Sequence, residues 1–190
     1  MTCAEVLHEV AALSGTPVRT VFFGAPSDRA EYLRHTGVIE RLLRERFGDG
    51  SPIFSYVPQY PIGGGVAVEC HRLSDSGATV RHKSVDGERY IVVECGSFRE
   101  VIAGGLRGKE DAPLAEQCDT LFAKAAAILS AESMGTDDIV RQWNYIEDIT
   151  GFVGEHQNYQ VFNDARSRFY RSGRWTKGYP SPAPSSTLCE

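Results

Sequence analysis

Between residues 79 and 132 the spacing of apolar side chains changes from a period of about two to about 3.6. That change constrains the fold more than anything else in the chain. Thr79–Lys83 and Tyr90–Cys95 are β-prone runs on either side of Val85-Asp-Gly-Glu88. An Asp-Gly pair in that setting is a strong hairpin signal. Phe98–Ala103 follows as another strand and stops at Gly104-Gly105. Downstream, Leu114, Cys118, Leu121, Phe122, Ala125, Ile128 and Leu129 predict a helix over 112–132, with Gly135 after its end. A strand over Ile139–Ile149 and a helix over 155–171 complete the series. Strands grouped first and helices later argue an α+β fold, with two helices laid on one face of a mixed sheet.

The first 75 residues read as an N-terminal extension. Val6, Leu7, Val10 and Leu13 predict a helix over 4–14, and Val18–Phe23 a strand. Ser27 or Asp28 then caps a helix whose stripe is Tyr32, Leu33, Ile39, Leu42, Leu43 and Phe47, ending at Gly48. Thr36 and Gly37 weaken its middle. Ile53–Gln59 is a strand that Pro58 and Pro61 confine to an edge or an end. Gly63–Gly65 is a flexible turn before a strand over Val66–Leu73. With 190 residues the chain reads as one domain, with an extension over 1–75, a core over 76–172 and an irregular tail over 173–190 holding at most one short edge strand.

Several functions are disfavoured at this level. The net charge is -5, and no basic stripe beyond Arg41, Arg44 and Arg46 is present, so a nucleic-acid partner is not expected. No run approaches 18 apolar residues, which argues against a membrane span. Five cysteines, an odd number without a C-x-x-C pair, and no secretory start predict reduced thiols in the cytoplasm. Gly104-Gly-Leu-Arg-Gly108 lacks the spacing of a phosphate loop and reads as a turn. His71 and His82, near Glu69 and Cys70, lack zinc spacing, so no metal and no cofactor are expected. His8, His35 and His156 read as surface residues. Cys95 is the best-placed thiol but reads foremost as a buried structural cysteine.

The segment from Arg141 to Tyr170 is different. Arg141-Gln-Trp-Asn-Tyr145 holds five large polar or aromatic residues in succession, a poor choice for a plain core strand. Alternation places Arg141, Trp143, Tyr145 and Glu147 on one face, and Gln142, Asn144, Ile146 and Asp148 on the other. On the next helix Tyr159, Phe162, Asn163, Arg166, Phe169 and Tyr170 share a face. A buried amide and guanidinium there need partners. In one reading Glu147, Asp148 or Asp164 pairs with the arginines and locks strand to helix. In the other, an arginine faces a pocket and grips the carboxylate of a small anion, with aromatic rings stacked on it.

These residues carry a resemblance. Leu114 to Ile149 resembles the helix–turn–strand of the YjgF/RidA superfamily. R-x-W-N-Y-I-x-x-I from Arg141, followed by Tyr159-x-x-Phe162-Asn163-x-x-Arg166-x-x-Phe169, resembles the N-terminal, YjgF-like domain of the chorismatases. Phe23-Gly-Ala-Pro26, Ser55-Tyr-Val-Pro-Gln59 and Ala103-Gly-Gly-Leu-Arg-Gly108 also look like parts of that domain. The likeness covers most of 20–182 and is most specific over 139–170. It implies a YjgF/RidA-like (chorismate-mutase-like) fold and binding or hydrolysis of a small cyclic carboxylate such as chorismate in secondary metabolism. Arg141, Trp143, Tyr145, Tyr159, Asn163 and Arg166 would bind the substrate, and Glu147 would act as general acid if burial raised its pKa. It also implies a homo-oligomer, usually a trimer. The family continues into a second YjgF-like domain, so another copy or a partner chain is expected to supply that half. The alternatives are a non-catalytic binding or assembly subunit and a RidA-like imine deaminase. The arginine that such deaminases carry after their last helix has no counterpart in Gly178-Tyr-Pro-Ser-Pro-Ala-Pro-Ser-Ser186.

Overall fold

The computed structural model describes residues 3–74, 77–173 and 185–188. The chain is an α+β protein whose strands fall into several sheets. Its contacts divide it into two compact units, residues 1–84 with 89–105, and 85–88 with 106–190. The main division falls at Gly105, so the strands over 79–103, apart from the turn residues 85–88, group with the N-terminal elements.

In the first unit, α1 (Cys3–Ala12) leads into β1 (Thr16–Gly24), α2 (Arg29–Phe47), β2 (Ile53–Pro58) and β3 (Ala67–Leu73). The central strand β1 pairs parallel with β2 and antiparallel with β3, with a bulge between Pro17 and Arg19. The two prolines do leave β2 at an edge. Phe22 of β1 and Tyr56 of β2 bury against Ile39 and Leu43 of α2. Asp28 is the cap of α2, its carboxylate accepting from the Glu31 amide at 2.8 Å. Gly48, at φ 56°, ends the helix as its position predicts. A second, antiparallel sheet holds β4 (Thr79–Val85), β5 (Glu88–Cys95) and β6 (Phe98–Ala103) in that order. Asp86 and Gly87, at φ 50° and 83°, form the expected tight turn. Ile91 and Val93 of β5 pack on Val18 and Ile53, closing a second core.

Arg72 of β3 binds the end of α1. Its guanidinium donates to four carbonyl oxygens, those of Val10 (3.0 Å), Leu13 (2.7 Å), Ser14 (2.8 Å) and Gly15. Val10 lies in the last turn of α1 and the other three carbonyls follow its end, where the helix dipole favours a cation. Gly104 and Gly105 are also explained by position. A Cβ at 104 would meet Ile53 Cγ2 at 2.8 Å, and one at 105 would meet the Phe54 carbonyl at 2.5 Å. The glycines let the chain lie against β2.

The second unit is built on α3 (Leu114–Ala131) and α4 (Asn158–Arg171). Cys118 and Phe122 of α3 pack on Phe162 and Ala165 of α4, with Ile146 and Ile149 between. The Phe122 and Phe169 rings stack at 4.8 Å. The eleven-residue strand expected over 139–149 is shorter than its sequence predicts. A 3-10 turn occupies Thr136–Asp138, and the strand proper, β7, is only Trp143–Ile146. It stops because Asp148 turns to φ 44° and its carbonyl accepts from the Gly151 amide at 2.8 Å. A two-residue hairpin, β8 (Phe152–Val153) with β9 (His156–Gln157), then leads into α4. At the far end, β10 (Ser185–Leu188) pairs parallel with β7, Ser185 opposite Trp143. The tail expected to be irregular over 174–184 lies outside the described residues.

Candidate functional site

Within β7, alternation directs Asn144 and Ile146 inward and leaves Trp143 and Tyr145 half-buried. The inward face, with Gln142, carries a hydrogen-bonded series. The Tyr170 hydroxyl, on a side chain only 2% exposed, donates to Gln142 Oε1 at 2.5 Å. Gln142 Nε2 donates in turn to Asn144 Oδ1. Asn144 Nδ2, at the end of the series, is buried and has no partner. On α4, Asn158 Nδ2 donates to the Asp148 carbonyl at 2.8 Å, while its Oδ1 has none. Asn163 Oδ1 and Arg166 Nη1 are likewise buried without a hydrogen-bond partner.

Seven buried side-chain polar atoms among the described residues lack a hydrogen-bond partner, and five of them are in this unit, on Thr136, Asn144, Asn158, Asn163 and Arg166. Such atoms are uncommon in folded proteins, and each is costly at about 1–3 kcal/mol. Their grouping marks a place where the single chain leaves hydrogen-bonding capacity unused.

The seven residues singled out from the sequence meet different fates. Arg141 is exposed and lies over the Trp143 ring at 4.7 Å. The Arg166 guanidinium lies 5.8 Å from the Phe162 ring, and no carboxylate among the described residues bonds to it. The expected pairing of Arg166 with Glu147, Asp148 or Asp164 is therefore not formed. Phe162 is buried, Asn163, Arg166 and Phe169 are half-buried, and Tyr159 is at the surface. Glu147 is exposed in the turn after β7, so the burial that a general acid would need is not supplied there.

Reading the sequence put Tyr170 on the shared helix face without a ligand role, and missed Gln142, Asn144 and Asn158 as site members. Gln142 and Asn144 alternate with Trp143 and Tyr145, and the more conspicuous aromatic face drew the attention. It also missed a cavity of about 530 Å³ in the same unit, lined by Leu129, Met134, Thr136, Asp137, Asp138 and Phe169 among others. None of the seven sequence-chosen residues lines it.

The first unit holds smaller polar clusters. His35, expected at the surface, is half-buried, and its Nδ1 lies 2.8 Å from the Tyr56 hydroxyl. The Tyr32 and Tyr56 rings stack at 5.2 Å. Arg19 is buried and donates to Glu69 Oε1 at 3.0 Å, and its Nη1 lies 3.2 Å from His71 Nε2. Partial burial works against the Glu69 charge, but the His71 hydrogen bond and Arg19 outweigh it, and the carboxyl pKa is lowered. Cys95, read foremost as buried, is exposed at the end of β5. Cys118 is the buried thiol. Burial, with Asp119 nearby, pushes its pKa up to about 11, which makes it inert.

No described helix is long and apolar enough to cross a membrane. Comparison with protein-family models, with curated proteins and with solved structures finds no match to this chain.

Proposed function

We propose that the chain is a YjgF-like protein related to the chorismatases, and that its β7–α4 unit binds a small cyclic carboxylate. The carrying observation is the buried Arg166 Nη1 without an acceptor, on the same helix face as the unpaired Asn163 Oδ1. A carboxylate satisfies a guanidinium through two parallel hydrogen bonds, and a ligand hydroxyl would satisfy the amide oxygen. The half-buried Trp143 and Tyr145 offer ring faces nearby in the chain. Glu147 is exposed, so the proposal is binding rather than hydrolysis by this chain alone.

Calorimetric titration with chorismate tests this reading. The parent protein should bind saturably. Arg166→Met should weaken binding by roughly 10- to 100-fold, the equivalent of about 1.5–3 kcal/mol for a charge-assisted hydrogen bond. Its helical circular dichroism should be kept. Absent binding, or equal binding by the variant, would reject the reading.

The same unpaired atoms favour a second reading, in which another polypeptide supplies the missing acceptors and donors. In an assembly subunit, a second copy or a partner chain would bring partners to Asn144, Asn163 and Arg166. Light scattering on the purified protein, alone and mixed with the products of neighbouring genes, separates the two. A monomer under all conditions, still binding chorismate, leaves only the first.

A further inference from the structure

Side chains and backbone hold β7 in different ways. Ile146 is packed in the helix core, and Gln142, just before the strand, accepts from Tyr170 of α4. These contacts fasten β7 to the helices. Its backbone edge has a separate partner. Among the described residues only β10 pairs with β7, as a two-stranded parallel sheet. The pairing is four residues long, Ser185 to Leu188 beside Trp143 to Ile146. A lone two-stranded pair is marginal in water, and parallel pairing is the weaker kind per residue. The connection to β10 is also unusual. Both β1–α2–β2 and β7–α4–β10 are strand–helix–strand crossovers with parallel pairing. In the first, the five residues 48–52 return the chain from α2 to β2. In the second, the thirteen residues 172–184 join α4 to β10. Returns of this kind commonly take about two to six residues. Pro180, Pro182 and Pro184 stand just before Ser185, and none has an N–H to give to a longer ladder. A short strand, weakly paired and on a long tether, has the attributes of a bound segment more than those of a core strand.

We propose that the edge of β7 is a docking site for an extended peptide segment, and that Ser185–Leu188 is its exchangeable occupant. The segment docks by strand addition, in which main-chain hydrogen bonds carry the affinity. A tethered occupant faces its site at roughly millimolar effective concentration, so even weak docking keeps it seated. A free peptide of the same sequence gains the site only where the chain's own segment cannot pair. The site outlasts the departure of its occupant, because Ile146 and the Tyr170–Gln142 hydrogen bond still fasten β7 to the helices. The proposal does not depend on the carboxylate reading, because strand addition uses the β7 backbone and neither Asn163 nor Arg166.

Amide hydrogen exchange followed by NMR on the full chain provides the test. In the parent, β7 should hold protected amides. Proline at two consecutive positions removes a donor whichever way the strand faces, so Ser186→Pro with Thr187→Pro should abolish docking. Exchange of those β7 amides should then rise by roughly tenfold or more, while α3 and α4 stay as protected as in the parent. A free peptide of residues 181–188, Ser-Pro-Ala-Pro-Ser-Ser-Thr-Leu, should restore the protection saturably by about millimolar concentration in this variant. A scrambled peptide should not. The proposal is overturned if β7 exchanges freely in the parent, if its protection survives both prolines, if the peptide fails to restore it, or if the scrambled peptide restores it equally. It is also overturned if α3 and α4 lose protection together with β7 both in this variant and in the milder Ser186→Gly with Thr187→Gly, since the segment would then be part of the core.

Discussion

Glu31 shows how far one half-buried side chain can depart from its ordinary behaviour. The Ser27 amide and hydroxyl both donate to its carboxylate, at 2.6 and 2.7 Å, and hold its pKa at about 2 instead of the ordinary 4.5. A depressed carboxylate stabilises the fold above its unfolded pKa, and that share disappears as pH falls towards the folded value. Glu31→Gln should therefore lower the melting temperature at neutral pH. The gap between parent and variant should close between about pH 4.5 and about pH 2. A gap that persists at the acid end would show that the carboxylate is not the cause. The thiols offer a second comparison at this scale. Cys95 should react with a thiol reagent in the folded protein, and Cys118 only after unfolding. Peptide mapping of the labelled protein reads this directly.

Elements with a local chemical signature were legible in the sequence. Asp28 and Gly48 bounded α2 because capping uses the side chain or conformation of one residue. Asp86-Gly87 located the β4–β5 hairpin because few other pairs accept two consecutive positive φ angles. Legibility ended where partners are distant. Alternation over 139–149 continued past the point where backbone turns cut β7 to four residues. Nothing near His35 indicates that Tyr56, 21 residues on, will meet its ring. The same limit applies to the candidate site. The polar face of α4 was visible as a helical period, but the Tyr170–Gln142–Asn144 series joins residues up to 28 apart. Tyr170→Phe removes the hydroxyl that starts that series. It should cost about 1–2 kcal/mol in chemical denaturation, as a buried acceptor on Gln142 loses its donor. Arg168→Ala, which breaks an exposed ion pair with Asp119, should cost under about 1 kcal/mol.

At the scale of the whole molecule, the parting at Gly105 predicts a proteolytic pattern. The segment between β6 and α3 is without helix or strand, and Lys109 is exposed within it. Limited trypsin should cut after Lys109 before it cuts within α2 or α3, releasing two fragments whose sizes match the two units. An initial cut inside either helix would contradict the division. The order of strands and helices argued an α+β class but not this parting. The reason is that β4–β6 use Ile91 and Val93 to cover Val18 and Ile53, a choice of partner that periodicity does not record.

The grip of Arg72 on the end of α1 also has a consequence in time. A helix of 10 residues is marginal alone in water. The arginine that ties down its C-terminal end stands 62 residues after Val10. At a synthesis rate of roughly 5–20 residues per second, about 3–12 s separate the two during translation. For that interval the α1 segment should stay unfolded and open to chaperones or proteases. Arg72→Met should make that state permanent, with amide protection lost across α1 and about 2 kcal/mol of stability lost with it.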